Sequence, residues 1–426
     1  MKIEIKNGHV IDPANGIDKP ADVYVADGRI VAVGKAPAGF NAEGSIDASE
    51  CVVCPGLVDL AARLREPGFE YKATLESEMA AAAAGGVTSL ACPPDTDPPL
   101  DEPGLVEMLK HRARLPDFAH VYPIGALTVG LSGERLTEMA ELAEAGCVAF
   151  GQANTVILNT QVLLRAMQYA STFGFPVWLA AQDPYLAKNG VAHDGEVSAR
   201  LGLPGIPVVA ETIALATVLH LAQETGARLH VTRLSSAAGL EMVRAARRAG
   251  IAVTCDISAH HLHLCENDIG YFDPHARLDP PLRAVADRDA LRAGLADGTI
   301  DALCSDHTPV DDDGKQAPFG EAEAGATGLE LLLPLTLKWS RDSKVPLASA
   351  ISRVTSEPAR VLGIDAGTLG VGRAADICVF DPRAKVRVTR QRLKSQGKNT
   401  PFLGHELPGE VRYTLIEGHL AFSPPL

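Results

Sequence analysis

Apolar and polar residues alternate near both ends of the chain, and between them they fall into strand-like and helix-like runs. Asp22-Val-Tyr-Val-Ala-Asp-Gly-Arg-Ile-Val-Ala-Val33 reads as a β-hairpin turning at Asp27-Gly28, a pair suited to the left-handed residues of a tight turn. Near the other end, Arg412–Phe422 repeats the pattern with a turn at Glu417-Gly418, and Ala375–Phe380 is a further strand. Two β-rich ends predict one small module built from both, with residues 1–54 and 363–426 as its two parts.

The middle, residues 55–362, alternates strands with helices, the order of a parallel α/β sheet. Strand-like runs lie at Val58–Leu60, Val87–Ala91, Val121–Gly125, Cys147–Phe150, Val177–Ala181, Leu229–Leu234, Ala252–Ile257 and Ala302–Cys304. Helical stretches include Leu75–Ala84, Glu211–Glu224 and Ala237–Ala249. Thr74 is suited to cap the first of these, Glu76 and Glu78 favour its positive end, and Gly85-Gly86 ends it. Eight such units in about 300 residues fit a TIM (β/α)8 barrel. The fold class expected is therefore α/β, a TIM barrel with a composite β-sandwich. Thr308–Gly325, which carries Asp311-Asp-Asp-Gly314, is expected to be a mobile loop.

Composition narrows the class. The chain has 426 residues, 46% of them hydrophobic, which suits one barrel plus a smaller module. No apolar run is long enough to span a membrane, and Met1-Lys-Ile-Glu-Ile-Lys-Asn-Gly8 is too polar for a secretory signal, so a cytoplasmic location is expected. Net charge of −14 argues against nucleic acid and anionic membrane as partners. The eight cysteines sit mostly in apolar runs, as reduced buried thiols do. Cys51-x-x-Cys54 has metal-type spacing but no second pair to complete a site.

A set of motifs gives the chain a family resemblance. They are Pro55-Gly-Leu-Val-Asp59, Leu64-Arg-Glu-Pro-Gly68, Glu196-Val-Ser-Ala-Arg-Leu-Gly-Leu-Pro204, His260-His-Leu262, Pro280-Pro-Leu-Arg283, Ser305-Asp-His-Thr-Pro309 and Lys398-Asn-Thr-Pro-Phe402. Together they resemble the dihydroorotases of the amidohydrolase superfamily, nearly end to end. The resemblance implies reversible cyclisation of carbamoyl aspartate at a zinc site. Such a site uses metal to make hydroxide and polarise an amide, and a carboxylate to move the proton.

Carried over position by position, the ligands are largely missing. The His-x-His pair of the first strand falls on Ala61 and Arg63. The bridging acidic position after the fourth strand falls on Ala153, and the histidines of the fifth and sixth strands fall on Ala180 and Arg233. Only Asp306 is kept. A well-built zinc site is worth roughly 10–16 kcal/mol, which its ligands must supply. Alanine has no donor, and guanidinium stays protonated. Arg63 and Arg233 either replace the metal's charge by pairing with Asp306, or face solvent. On the substrate side, Arg65 remains where the family binds a carboxylate. The expected asparagines are Asp95 and Asp279, which repel an anion, and Val310 replaces a further histidine.

Other chemistry is thin. A relocated mononuclear metal site would draw on Asp306, His261, His263 and His307, unless His260-His-Leu262 is inherited scaffold with locally bonded imidazoles. His230 reads as a satisfied core histidine. No phosphate loop or nucleophile elbow occurs, and Ser235-Ser236 has no evident base.

The leading expectation is a protein without catalytic residues, cofactor or bound metal, whose use lies in its surface. Its resemblance is to the noncatalytic dihydroorotase-like chains that associate with aspartate carbamoyltransferase in pyrimidine biosynthesis. That resemblance implies the carbamoyltransferase catalytic chain as partner, in homo- and hetero-oligomers. The alternatives are an active zinc-dependent cyclic amidohydrolase with a displaced metal, and a small-molecule sensor binding through Arg65.

Overall fold

In the computed structural model, which describes residues 1–114 and 118–423, eight parallel strands stand side by side in chain order. They are Leu57–Asp59, Val87–Cys92, His120–Ala126, Ala149–Gly151, Val177–Ala180, Leu229–Thr232, Val253–Ser258 and Ala302–Cys304. Each matches a run expected from hydrophobicity, to within three residues at either end. Their side chains are mostly buried because a strand inside a barrel faces packing on both sides. The first and eighth strands share no ladder. Closure passes instead through the residues just beyond them, where Arg63 N donates to His307 O and His307 N to Ala61 O, both at 2.9 Å. This is a nearly closed TIM barrel.

The helices follow their caps. Leu75–Ala84 has the expected bounds, and Thr74 accepts from the backbone N of Ser77 at 3.2 Å. Glu78 does more than meet a helix terminus. It is wholly buried, accepts from His307 Nε2 (2.5 Å) and Ser395 Oγ (2.6 Å), and so ties the first helix to the eighth strand's loop and the C-terminal segment. Burial works against its charge, but the His307 and Ser395 bonds win and hold its carboxyl below the usual range. The helix Val208–Thr225 begins three residues before the expected start, and Ala237–Arg248 is capped by Ser236.

Both chain ends build the second layer. A four-stranded sheet comes wholly from residues 2–47, and a six-stranded sheet joins His9–Asp12, Ile17–Pro20 and Val52–Pro55 to Ile377–Arg387, Glu406–Ile416 and His419–Phe422. Ile3, Ile5, Val23, Val25, Ile377 and Leu415 lie in the core between the sheets. The two expected hairpin turns are present, and they touch. Asp27 and Gly28 have φ of 50° and 74°, Glu417 and Gly418 of 46° and 76°. A Cβ on Gly28 would sit 2.9 Å from Glu417 O.

One expectation is corrected. Residues 308–325 are not a free loop. Lys315 is buried within them and donates from Nζ to Pro274 O, Arg277 O and Glu323 O, while Phe319 and Ala322 pack inward. The acidic run suggested solvent, and the one lysine that binds the segment gave no periodic signal. No helix among the described residues is long and apolar enough to cross a membrane.

Candidate functional site at the barrel mouth

The C-terminal ends of parallel strands carry the sites of such barrels. Ala61 and Arg63 follow the first strand, Ala153 the fourth, Arg233 the sixth and Asp306 the eighth, while Ala180 ends the fifth in register with Thr232. Several of these positions bend sharply. Arg65, Ala153, Arg233 and Asp306 have φ of 62°, 50°, 54° and 46°, a region that costs a non-glycine residue roughly 1–3 kcal/mol. The backbone is held there by its surroundings. Arg233 N, for example, donates to Asp256 Oδ1 at 2.7 Å, and the same carboxylate receives His230 at 2.9 Å. His230 is thus the bonded core histidine expected of it, with Thr254 Oγ1 on its other nitrogen at 2.8 Å.

The two arginines turn inward, not to solvent; Arg63 is 6% and Arg233 7% exposed. Both lie 3.5 Å from Asp306 Oδ1. Both also donate to a single acceptor, Asn154 Oδ1, Arg63 at 2.9 Å and Arg233 at 2.5 Å. Arg63 is pinned further by Asp95 Oδ2 (2.7 Å) and Thr308 Oγ1 (3.1 Å), Arg233 by Asp279 O (3.0 Å). The Asp279 carboxylate accepts from Asn154 and Gln182, each at 3.1 Å. Attraction across 3.5 Å is about 5 kcal/mol per guanidinium at an effective dielectric of 20, and burial of the three groups works against it.

Charge states follow from these contacts. Burial opposes the Arg63 cation, but Asp95 and Asp306 outweigh it and its pKa rises. Burial likewise opposes the Asp95 carboxylate, and Arg63 overcomes it, so that pKa falls. Asp306 goes the other way. Burial pushes its carboxyl up to about 6, more than Arg233 and Arg63 pull it down. Burial also lowers the pKa of Arg65, with Arg63 adding to the effect. Arg65 Nε donates to Pro309 O at 2.9 Å, and Val310 N is taken up by Asn399 Oδ1 at 3.0 Å.

What space remains is small. Ala61, Arg63, Ala153 and Arg233 line a cavity of about 40 Å3 with Trp178 beneath them. That is room for a few water molecules, whereas small-molecule sites run to roughly 300–1,000 Å3. Sequence reasoning singled out the arginines and Asp306 but missed Asn154, Gln182 and Trp178. An asparagine next to Ala153, the position where the resemblance puts an acidic ligand, was the available signal for the first of these.

The donor set does not fit zinc. Among the described residues no three His, Cys, Asp or Glu side chains are grouped to hold a metal ion. The relocated site does not assemble. His261 bonds Ser258 Oγ (2.8 Å) and Pro281 O (3.2 Å), His263 bonds Leu335 O (2.9 Å), and His307 faces Glu78. His307 Nδ1 accepts from Gly328 N at 3.1 Å, which leaves its other nitrogen as a donor and no lone pair for a cation. Cys54 pairs across the sheet with Cys378, so the Cys51-x-x-Cys54 spacing forms no clamp.

Comparisons with known proteins bear on the frame. A dihydro-orotase-like family matches residues 50–238. A dihydroorotase-like protein of Pseudomonas putida is 46% identical over 424 residues, covering 100% of both chains. The chain belongs to the dihydroorotase-like family of amidohydrolases. A second dihydroorotase-like protein, from Pseudomonas aeruginosa, is 46% identical over 420 residues and 99% of each chain. A protein named dihydroorotase from Geobacter sp. is 40% identical over 423 residues, 99% of this chain and 100% of its own. The solved L-hydantoinase of Arthrobacter aurescens superposes with a TM-score of 0.88 at 25% identity, over 99% of this chain and 96% of its own. This dihydroorotase-like chain therefore keeps the family's barrel and sandwich while arginine, alanine and asparagine fill the mouth.

Proposed function

We propose that this protein is a catalytically inactive dihydroorotase-like chain that serves as an assembly subunit of an aspartate carbamoyltransferase complex in pyrimidine biosynthesis. One observation carries the inactive half of the reading: Arg63 and Arg233 meet on Asn154 and Asp306 where metal ligands would stand. A cation pair at that point opposes a dication, and a 40 Å3 hollow admits no cyclic amide. The assembly half rests on the resemblance to noncatalytic partners of the carbamoyltransferase, and on an intact fold around a narrow, arginine-filled site.

Purifying the carbamoyltransferase with and without this chain tests it. Expected is a larger particle and a more active carbamoyltransferase when both are present. Unchanged size and activity contradict the reading. Relatives that carry the name dihydroorotase keep the enzymatic alternative in view. Dihydroorotate turnover by the purified chain would establish it.

A further inference from the structure

A second hollow lies away from the mouth and shares no lining residue with it. It sits where the helix Leu332–Asp342 packs on the strand Glu406–Ile416, and the chain that links Ile377–Arg387 to that strand runs along its side. Its volume is about 500 Å3, within the range of roughly 300–1,000 Å3 found for small-molecule sites. Leu331, Leu393, Leu407 and Val411 are buried in its wall, and Pro334 and Phe422 complete the apolar lining. Covering such a wall removes apolar surface from water, so the occupant needs an apolar body.

Charge supplies the second requirement. The stretch Arg383–Lys398 carries seven cations and no carboxylate, in a chain of net charge −14. Several of these are paired: Lys385 with Glu406 at 3.2 Å, Arg390 with Asp312 at 2.6 Å and Arg392 with Glu410 at 2.7 Å. Arg387 and Lys394 are exposed, line the hollow and form no ion pair among the described residues. With Arg392 and Arg412 they make four cations in the lining, against the carboxyls of Glu330 and Glu410. Glu330 is spent on backbone, accepting from Lys394 N at 2.8 Å and Ser395 N at 3.1 Å. Burial pushes its carboxyl up to about 7 against those two bonds, so it carries only part of a charge near neutral pH. The balance of the lining is positive.

We infer that this hollow binds a small amphiphilic anion, its apolar body on the leucine wall and its charged head toward Arg387 and Lys394. Glu330 keeps an anionic head off the wall, and the two unpaired cations give it a place at the exposed side. The inference is independent of the assembly reading.

Fluorescence titration of the full chain with anilinonaphthalene sulfonate, an aromatic monoanion, tests it, with the uncharged phenylnaphthylamine as counterpart. Arg387→Gln/Lys394→Gln removes the unpaired cations, and Gln391→Trp fills the hollow from an exposed position in its lining. Lys35→Gln/Lys188→Gln makes the same charge change at exposed lysines elsewhere. Circular dichroism checks that each variant folds. Expected is one saturable sulfonate site per chain, displaced by decanoate. Binding weakens about threefold or more in Arg387→Gln/Lys394→Gln and at high salt, is lost in Gln391→Trp, and is unchanged in the control pair. The uncharged dye is expected to bind the native chain and Arg387→Gln/Lys394→Gln equally. Native sulfonate binding in Gln391→Trp, or equal weakening in the control pair, overturns the site. Sulfonate binding that ignores both salt and Arg387→Gln/Lys394→Gln overturns the anionic head. No saturable binding by the unchanged chain overturns the inference, as does a basic stretch that holds an acidic protein and no dye.

Discussion

At the scale of single residues, the site is a set of exchanges. Where the family resemblance puts metal ligands, the chain has two guanidiniums, an amide that accepts from both, and a carboxylate between them. That carboxylate is not a source of stability. Burial raises Asp306 to about 6, so the native state holds its proton above the pH at which the unfolded chain releases it. A native pKa above the unfolded one means that stability falls as pH rises from about 4 to about 6, then levels. Asp306→Asn removes that dependence. Unfolding by urea across pH 4–7 is expected to show the wild type losing up to about 3 kcal/mol relative to the variant over this window. Parallel curves would contradict the account of Asp306. Alanine and arginine at ligand positions could be read from the sequence. That the arginines turn inward could not, because whether a guanidinium faces solvent depends on Asn154, Asp95 and Thr308, which come from three different loops.

At the scale of elements, local pattern and structure agree where one residue decides the outcome. Thr74 caps its helix as its hydroxyl allows, and the barrel strands stand where short apolar runs put them. The hairpin turns at Gly28 and Gly418 were legible from residue type alone. Their contact was not, since 390 residues separate them. That contact gives a test. Gly16 and Gly28 are both left-handed, but a Cβ on Gly16 meets nothing within 4 Å, while one on Gly28 meets the Glu417 carbonyl. Both changes to alanine incur the conformational cost of about 1 kcal/mol. Gly28→Ala is expected to cost at least about 1 kcal/mol more, by thermal or urea unfolding. Equal losses would show that the two chain ends do not meet turn to turn. The segment 308–325 marks the limit of such reading. Its aspartates signal solvent, and its anchor is a single buried lysine with carbonyl partners from two segments.

At the scale of the whole molecule, a barrel and a sandwich persist around a mouth with about 40 Å3 of free space. The backbone at Ala153, Arg233 and Asp306 is strained, and it presents the polar clasp at that mouth. The central claim is that the mouth has no donor set for a divalent ion. Zinc content, measured on protein purified without chelator and dialysed against micromolar zinc, tests it most directly. The account predicts far less than one zinc per chain, while one or more tightly held zinc ions per chain at the barrel mouth would contradict it.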